Sequence, residues 1–216
     1  MSFQMMLMQL AAGMLKSINI FVLTLIFSLP LGLIVSFGRM SHNKPLSLIV
    51  KIYISIMRGT PLMLQLLVVY FGPYYLFKMS IGGTYRFVAI ILGFSINYAA
   101  YFAEIFRSGI ESMPVGQYEA AQILGYSKNQ TFFRIILPQV IKRILPSITN
   151  EVITLVKDTS LAFSLAYLEM FSISKQIAAK ETTFVPFIVA GLFYYIFNFV
   201  VAMIMEGLEN KLKYYK

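Results

Sequence analysis

The chain has 216 residues, 58% of them hydrophobic and 12% charged, with a mean hydropathy of +0.74. That is far more apolar than a soluble domain, so the chain reads as an integral membrane protein. The 18 Lys and Arg against 9 Asp and Glu do not signal nucleic-acid binding, because no basic run is interleaved with aromatics on a polar face; cytoplasmic loops and anionic headgroups account for the excess.

A helix needs roughly 20 apolar residues to cross the hydrocarbon core, and five stretches qualify: about 17–38, 52–77, 87–108, 150–171 and 184–206. The segment before the first span, MSFQMMLMQLAAGML, is apolar but short and is expected to lie in the interface. The first span is not a cleavable signal, since its apolar core is too long and no small-x-small site follows it. In the second, Gly59 and Pro61 interrupt the helix beside Arg58, a break tolerated where backbone is covered by protein or lines a cavity. Arg58 therefore either faces such a cavity or pairs with Asp158 as scaffold.

On the third span Asn97, Tyr101, Glu104 and Ser108 stand at i, i+4, i+7 and i+11 and form one polar stripe. A stripe facing lipid would leave these groups unpaired, so it faces either an interhelical hydrogen-bond seam or a permeation path. Residues 109–149 form the longest loop. Within it QYEAAQILG predicts a short helix closed at Gly125, and Asn129 is expected to cap a second, TFFRIILPQVIKRIL, bent at Pro138. Read from the residues alone, this block is either an amphipathic hairpin on the headgroups or a docking element for a soluble partner. On the fourth span Asp158 shares a face with Leu161 and Leu165, with Thr159 and Ser160 beside it, while Lys157 snorkels to the headgroups.

Basic residues set the orientation. With the N-terminus outside, the inner segments hold Arg39, Lys44, Lys51, Arg107, Lys128, Arg134, Lys142, Arg143, Lys211, Lys213 and Lys216, against Lys16, Lys78, Arg86, Lys175 and Lys180 outside. The bias predicts a cytoplasmic C-terminus and places 109–149 in the cytoplasm.

Glu119, Ala120 and Ala121, then Gly125, then Ile135, Leu137 and Pro138 resemble the EAA loop of permease subunits in ATP-binding-cassette importers. The segments AAGMLKSINIFVLTL, RGTPLMLQL, AAYFAEIFRSGI and KDTSL are similar to the polar amino-acid branch of that family, although Ser108 stands where a glycine is frequent. The resemblance implies an all-α, polytopic membrane bundle, one transmembrane permease domain over 1–216, with five spans and a cytoplasmic coupling helix. It also implies a plasma-membrane type I importer whose partners are a second permease subunit, two ATPase subunits and an external amino-acid-binding protein. Glu119, Ala120, Ala121, Gly125, Leu137 and Pro138 would then couple to the ATPase. The chain has no phosphate-loop motif; it is expected to be no enzyme and to hold no cofactor or metal, with ATP and Mg bound by the partner.

The resemblance favours the path over the seam for the polar stripe. Glu104 and Asp158 would give the path a negative lining suited to arginine, lysine or histidine, with Asn97, Tyr101, Arg58 and Ser160 as further substrate contacts. A neutral polar amino acid such as glutamine is the alternative. An ion-coupled secondary transporter would use similar acids but would have no need of the long cytoplasmic block, and inverted repeats are not evident.

Overall fold

The computed structural model describes residues 1–212, and every regular element among them is helical. Lys213 and Lys216, counted above with the inner basic residues, lie outside the described residues.

Helix α1 (Phe3–Arg39) runs unbroken for 37 residues from a cap at Ser2, whose Oγ accepts from Met5 N at 3.3 Å. At about 1.5 Å per residue it is about 55 Å long, well beyond a hydrocarbon core of about 30 Å. The N-terminal segment is thus continuous with the first span instead of lying apart in the interface. Nothing in the sequence breaks the helix there, and its glycines let it pack against neighbours at close range. A Cβ on Gly13 would sit 2.8 Å from Met170 Cα, and one on Gly32 would sit 2.7 Å from Phe102 Cβ and 3.1 Å from Ala99 O.

The expected second span is two helices, α2 (Lys44–Gly59) and α3 (Leu62–Phe77), which meet at 113°. Thr60 is extended, and Pro61 supplies no N–H to carry α2 onward. Helix α4 (Gly83–Glu111) is the central element: Phe94, Ala99, Ala100, Phe102 and Ala103 on it are fully buried. It packs against α1, α2, α3 and the later helix Leu137–Asp158, so the core is built around it.

The chain then leaves the bundle through α5 (Val115–Ile123) and α6 (Lys128–Gln130), passes a π-helical turn at Thr131–Ile136, and re-enters as α7 (Leu137–Asp158). The expected fourth span at 150–171 is therefore displaced and broken. Helix α7 starts thirteen positions earlier, and after Asp158 the chain tightens into a 3-10 segment, Thr159–Leu165, which ends at Ala166 with φ +52°. Within it Thr159 Oγ1 donates to Val156 O and Ser160 Oγ to Lys157 O, each at 2.8 Å. Helix α8 (Met170–Glu181) opens on a fully buried Glu169 that accepts from Phe171 N and Ser172 N at 2.7 Å each, and α9 (Val185–Leu212) closes the fold.

Helices α1, α4 and α9 are long and apolar enough to cross a membrane, and the bent pair α2 and α3 makes a fourth crossing if taken as one span. Helix α7 is long enough at 22 residues but not apolar enough to join them, because it is amphipathic.

Candidate functional site

Three pieces of chemistry stand out from the apolar bundle: the knob between α4 and α7, the braced break between α2 and α3, and a polar cavity between α4 and α7.

Gly125 closes α5 in the left-handed region at φ +79°. Its N–H donates to Gln122 O and that of Tyr126 to Ala121 O, both at 3.0 Å, so two carbonyls at the helix end are satisfied. The next helix is capped by Ser127, not by Asn129 as expected. Ser127 Oγ accepts from Gln130 N at 3.3 Å while Gln130 Oε1 accepts from Ser127 N at 2.9 Å, a reciprocal box that needs Ser and Gln three apart. Pro138 has no N–H, and the helix meets this with a π turn in which Leu137 N donates back to Phe132 O. Glu119 and Ala120 are exposed and Ala121 is buried. Ile123 and Leu124, at the tip, are 86% and 73% exposed.

At the α2–α3 break, Gln65 Nε2 donates to Met57 O at 3.0 Å, to Thr60 O at 3.1 Å and to Thr60 Oγ1 at 2.8 Å. Asn97 Nδ2 donates to the same Met57 O at 3.0 Å and to Gln65 Oε1 at 2.9 Å. Carbonyls left without helical partners by the break are thus satisfied by two amides. Asn97 is buried in this brace, so the stripe predicted on α4 divides: Asn97 is a seam, and Tyr101, Glu104 and Ser108 face elsewhere.

They face a cavity of about 460 Å³ lined by Arg58, Tyr101, Glu104, Arg107, Ser108, Arg143 and Glu151 among others. The Arg58 guanidinium lies 5.3 Å from the centre of the Tyr101 ring and makes no ion pair among the described residues. Arg107 holds Glu104 from the same helix through Nε and Nη2, the latter at 2.7 Å, and reaches Glu111 Oε2 through Nη1 at 2.6 Å. Arg143 is tied to Ser112, its Nη1 donating to Ser112 O at 2.7 Å and to Ser112 Oγ at 2.9 Å. Glu151 is half-buried and makes no hydrogen bond or ion pair among the described residues. After these pairings one cation, Arg58, and one anion, Glu151, remain uncommitted in the cavity.

Asp158 and Ser160 do not line it. Tyr98 donates to Asp158 Oδ2 at 2.7 Å, and no Arg58–Asp158 pair forms. The sequence reading overlooked Gln65, Arg107 and Glu151. Arg107 was readable as a partner three residues after Glu104, and Glu151 as an acid at the edge of the expected fourth span; Gln65 gave no signal without the bend.

A bundle of membrane helices around a polar cavity, with a structured knob held outside it, is the build of a transport permease. The chain belongs to the family described as binding-protein-dependent transport system inner membrane component, whose model matches residues 28–214. It is 35% identical over 208 residues to the L-cystine transport system permease protein TcyB of Bacillus subtilis, covering 95% of this chain and 87% of that one. It is 36% identical over 202 residues to the arginine transport system permease protein ArtQ of the same organism, covering 93% and 91%. The fold matches a crystal structure of an amino acid ABC transporter with histidines at a TM-score of 0.84 and 29% identity, over 98% of this chain and 99% of that one. This chain is thus a permease of an ATP-binding-cassette amino-acid importer, an inner membrane component.

Proposed function

We propose that this permease forms the translocation path of its importer and that α5 docks a separate ATPase subunit. The observation that carries the docking reading is the tip of the knob: Ile123 and Leu124 stand largely exposed near Glu119 on a segment closed at Gly125 and followed by a capping box. A rigid knob that displays large apolar side chains is built to be covered. In this reading α7 completes five crossings, the N-terminus is outside, and the knob is in the cytoplasm. A second permease subunit, two ATPase subunits and an external amino-acid-binding protein complete the assembly. ATP and Mg belong to the ATPase, and the permease itself catalyses no reaction.

The cavity is the substrate path. Its uncommitted pair suits an amino acid zwitterion, with the α-carboxylate toward Arg58, the ammonium toward Glu151, and Tyr101 alongside. Glu104 supplies the second acid that a basic side chain requires, and arginine, lysine or histidine is the proposed cargo. One observation favours a neutral polar cargo such as glutamine: Arg107 already occupies Glu104. A basic substrate would have to exchange with that guanidinium.

The docking reading is tested by Glu119→Lys in purified complexes. The permease should insert normally, while co-purification of the ATPase, receptor-stimulated ATP hydrolysis and uptake fall together. Unchanged co-purification and hydrolysis would overturn it.

A further inference from the structure

The turn from α4 into α5 is fastened to α7 at two points. Arg143 grips Ser112, the residue that ends α4, by its carbonyl at 2.7 Å and its hydroxyl at 2.9 Å. Ser112 Oγ in turn donates to Gly109 O at 2.7 Å. Gln139 lies four residues before Arg143, hence on the same face of α7. Its Nε2 donates to Ile135 O at 2.8 Å, in the π turn, and to Gln117 Oε1 on α5 at 3.4 Å. Beneath the two polar contacts α4 and α7 touch: a Cβ on Gly109 would lie 2.2 Å from Ile144 Cγ2 and 3.0 Å from Val140 Cγ1. The elbow 112–117 therefore has one polar pin at each end and an apolar contact under it.

From this geometry we propose that Gln139 and Arg143 are positioning residues for coupling, which pin the 112–117 elbow so that α5 and α7 move as one body. The proposal rests on the reading of α5 as the ATPase-docking helix and adds the route inward. Helix α7 carries Glu151 on the cavity wall and Asp158 at its far end. A displacement of the knob transmitted through rigid α7 reaches the cavity, whereas a knob loose at the elbow would swing without moving it. Neither pin is contributed by a residue that the EAA spacing contains. Gln139 follows Pro138 at the end of the π turn, and its side chain binds back to Ile135 O within that turn.

The test removes the pins and leaves the apolar contact. Complexes carrying Gln139→Leu with Arg143→Met, reconstituted with ATPase and saturating receptor, should retain bound ATPase but move about 3- to 30-fold fewer amino acids per ATP hydrolysed, the range expected for altered coupling. Arg143→Lys, which keeps one donor, should recover most of the ratio; a merely structural role would lower yield and Tm without changing the ratio of the complexes that survive. The chain has no cysteine, so in Gln117→Cys with Gln139→Cys the two introduced thiols are the only ones on the permease that a short bifunctional thiol reagent can bridge. Unbridged, this pair lacks the Gln139 pin and should show a lowered ratio; bridging should restore the wild-type ratio, because the two elements do not separate during the cycle. A wild-type ratio in the double variant, or loss of transport on bridging while the ATPase stays bound, overturns the proposal. Failure of the ATPase to co-purify with the unaltered permease overturns the docking reading instead.

Discussion

The Tyr98 hydroxyl donates to Asp158 Oδ2 at 2.7 Å, joining the middle of α4 to the last residue of α7. Tyr98 is 2% exposed and Asp158 half-buried, so the bond is largely shielded from water. Removing one partner of such a pair leaves the other with a desolvation cost of about 1–3 kcal/mol. Tyr98→Phe is expected to destabilise the purified permease by that amount, read as a lower midpoint in thermal unfolding in detergent. Asp158→Asn keeps an acceptor for the hydroxyl and should cost less. If Tyr98→Phe unfolds at the wild-type temperature, Asp158 is not held as a seam and returns as a substrate contact.

The two cavity acids differ in what holds them, and that separates their variants. Glu104 is paired with Arg107, and Glu151 is uncommitted. Glu151→Gln removes the group proposed to face the ammonium that all amino acids share, so uptake of any cargo should fall. Glu104→Gln should weaken uptake of a basic amino acid by about 10- to 100-fold, the equivalent of losing a charge-assisted hydrogen bond of about 1.5–3 kcal/mol, and leave a neutral one nearly unchanged. The measurement is competitive uptake of arginine and glutamine in proteoliposomes with saturating receptor. Equal effects of Glu104→Gln on both would remove the basic-cargo reading.

Much of this architecture was legible because its causes are local. Gly59 and Pro61 announced the break in the second span, and the EAA spacing located the knob. The misplaced pieces depend on partners distant in sequence. Asn97 looked like part of a path stripe because periodicity gives a face and not what packs on it; the α2–α3 bend brings Met57 O and Gln65 to that face. The Arg58–Asp158 pairing failed for the same reason, since Tyr98 and Tyr101 intervene on α4. The cap at Ser127 is a different kind of miss, because its Ser-x-x-Gln pattern was present in the sequence and Asn129 drew attention from it.

Orientation follows from labelling, and the capping box decides where the probe goes. A cysteine at Ser127 would remove the cap, whereas Asn129 is exposed and outside the box. Asn129→Cys should react with an impermeant maleimide only after cells are opened. Gly83→Cys, at the start of α4 with nothing within 4 Å of its Cβ position, should react in intact cells. The reverse pattern would place the knob outside, and the docking role would go with it.

Gly125 tests whether the knob acts through its shape. At φ +79° it occupies backbone space that L side chains enter at a cost of roughly 1–2 kcal/mol, and no atom lies within 4 Å of where its Cβ would be. Substitution is therefore opposed by conformation and not by crowding, and this orders the variants. Asn tolerates the left-handed region and should be nearly silent. Ala should weaken the turn, and Val, branched at Cβ, should weaken it further. If α5 must be closed at Gly125 to seat on the ATPase, receptor-stimulated hydrolysis should decline in that order, Asn, Ala, Val, while membrane insertion stays constant. A steric or charge role at the tip would rank them by size instead, with Asn falling below Ala. Stimulated hydrolysis that follows size would refute the conformational account while leaving the docking surface itself in place.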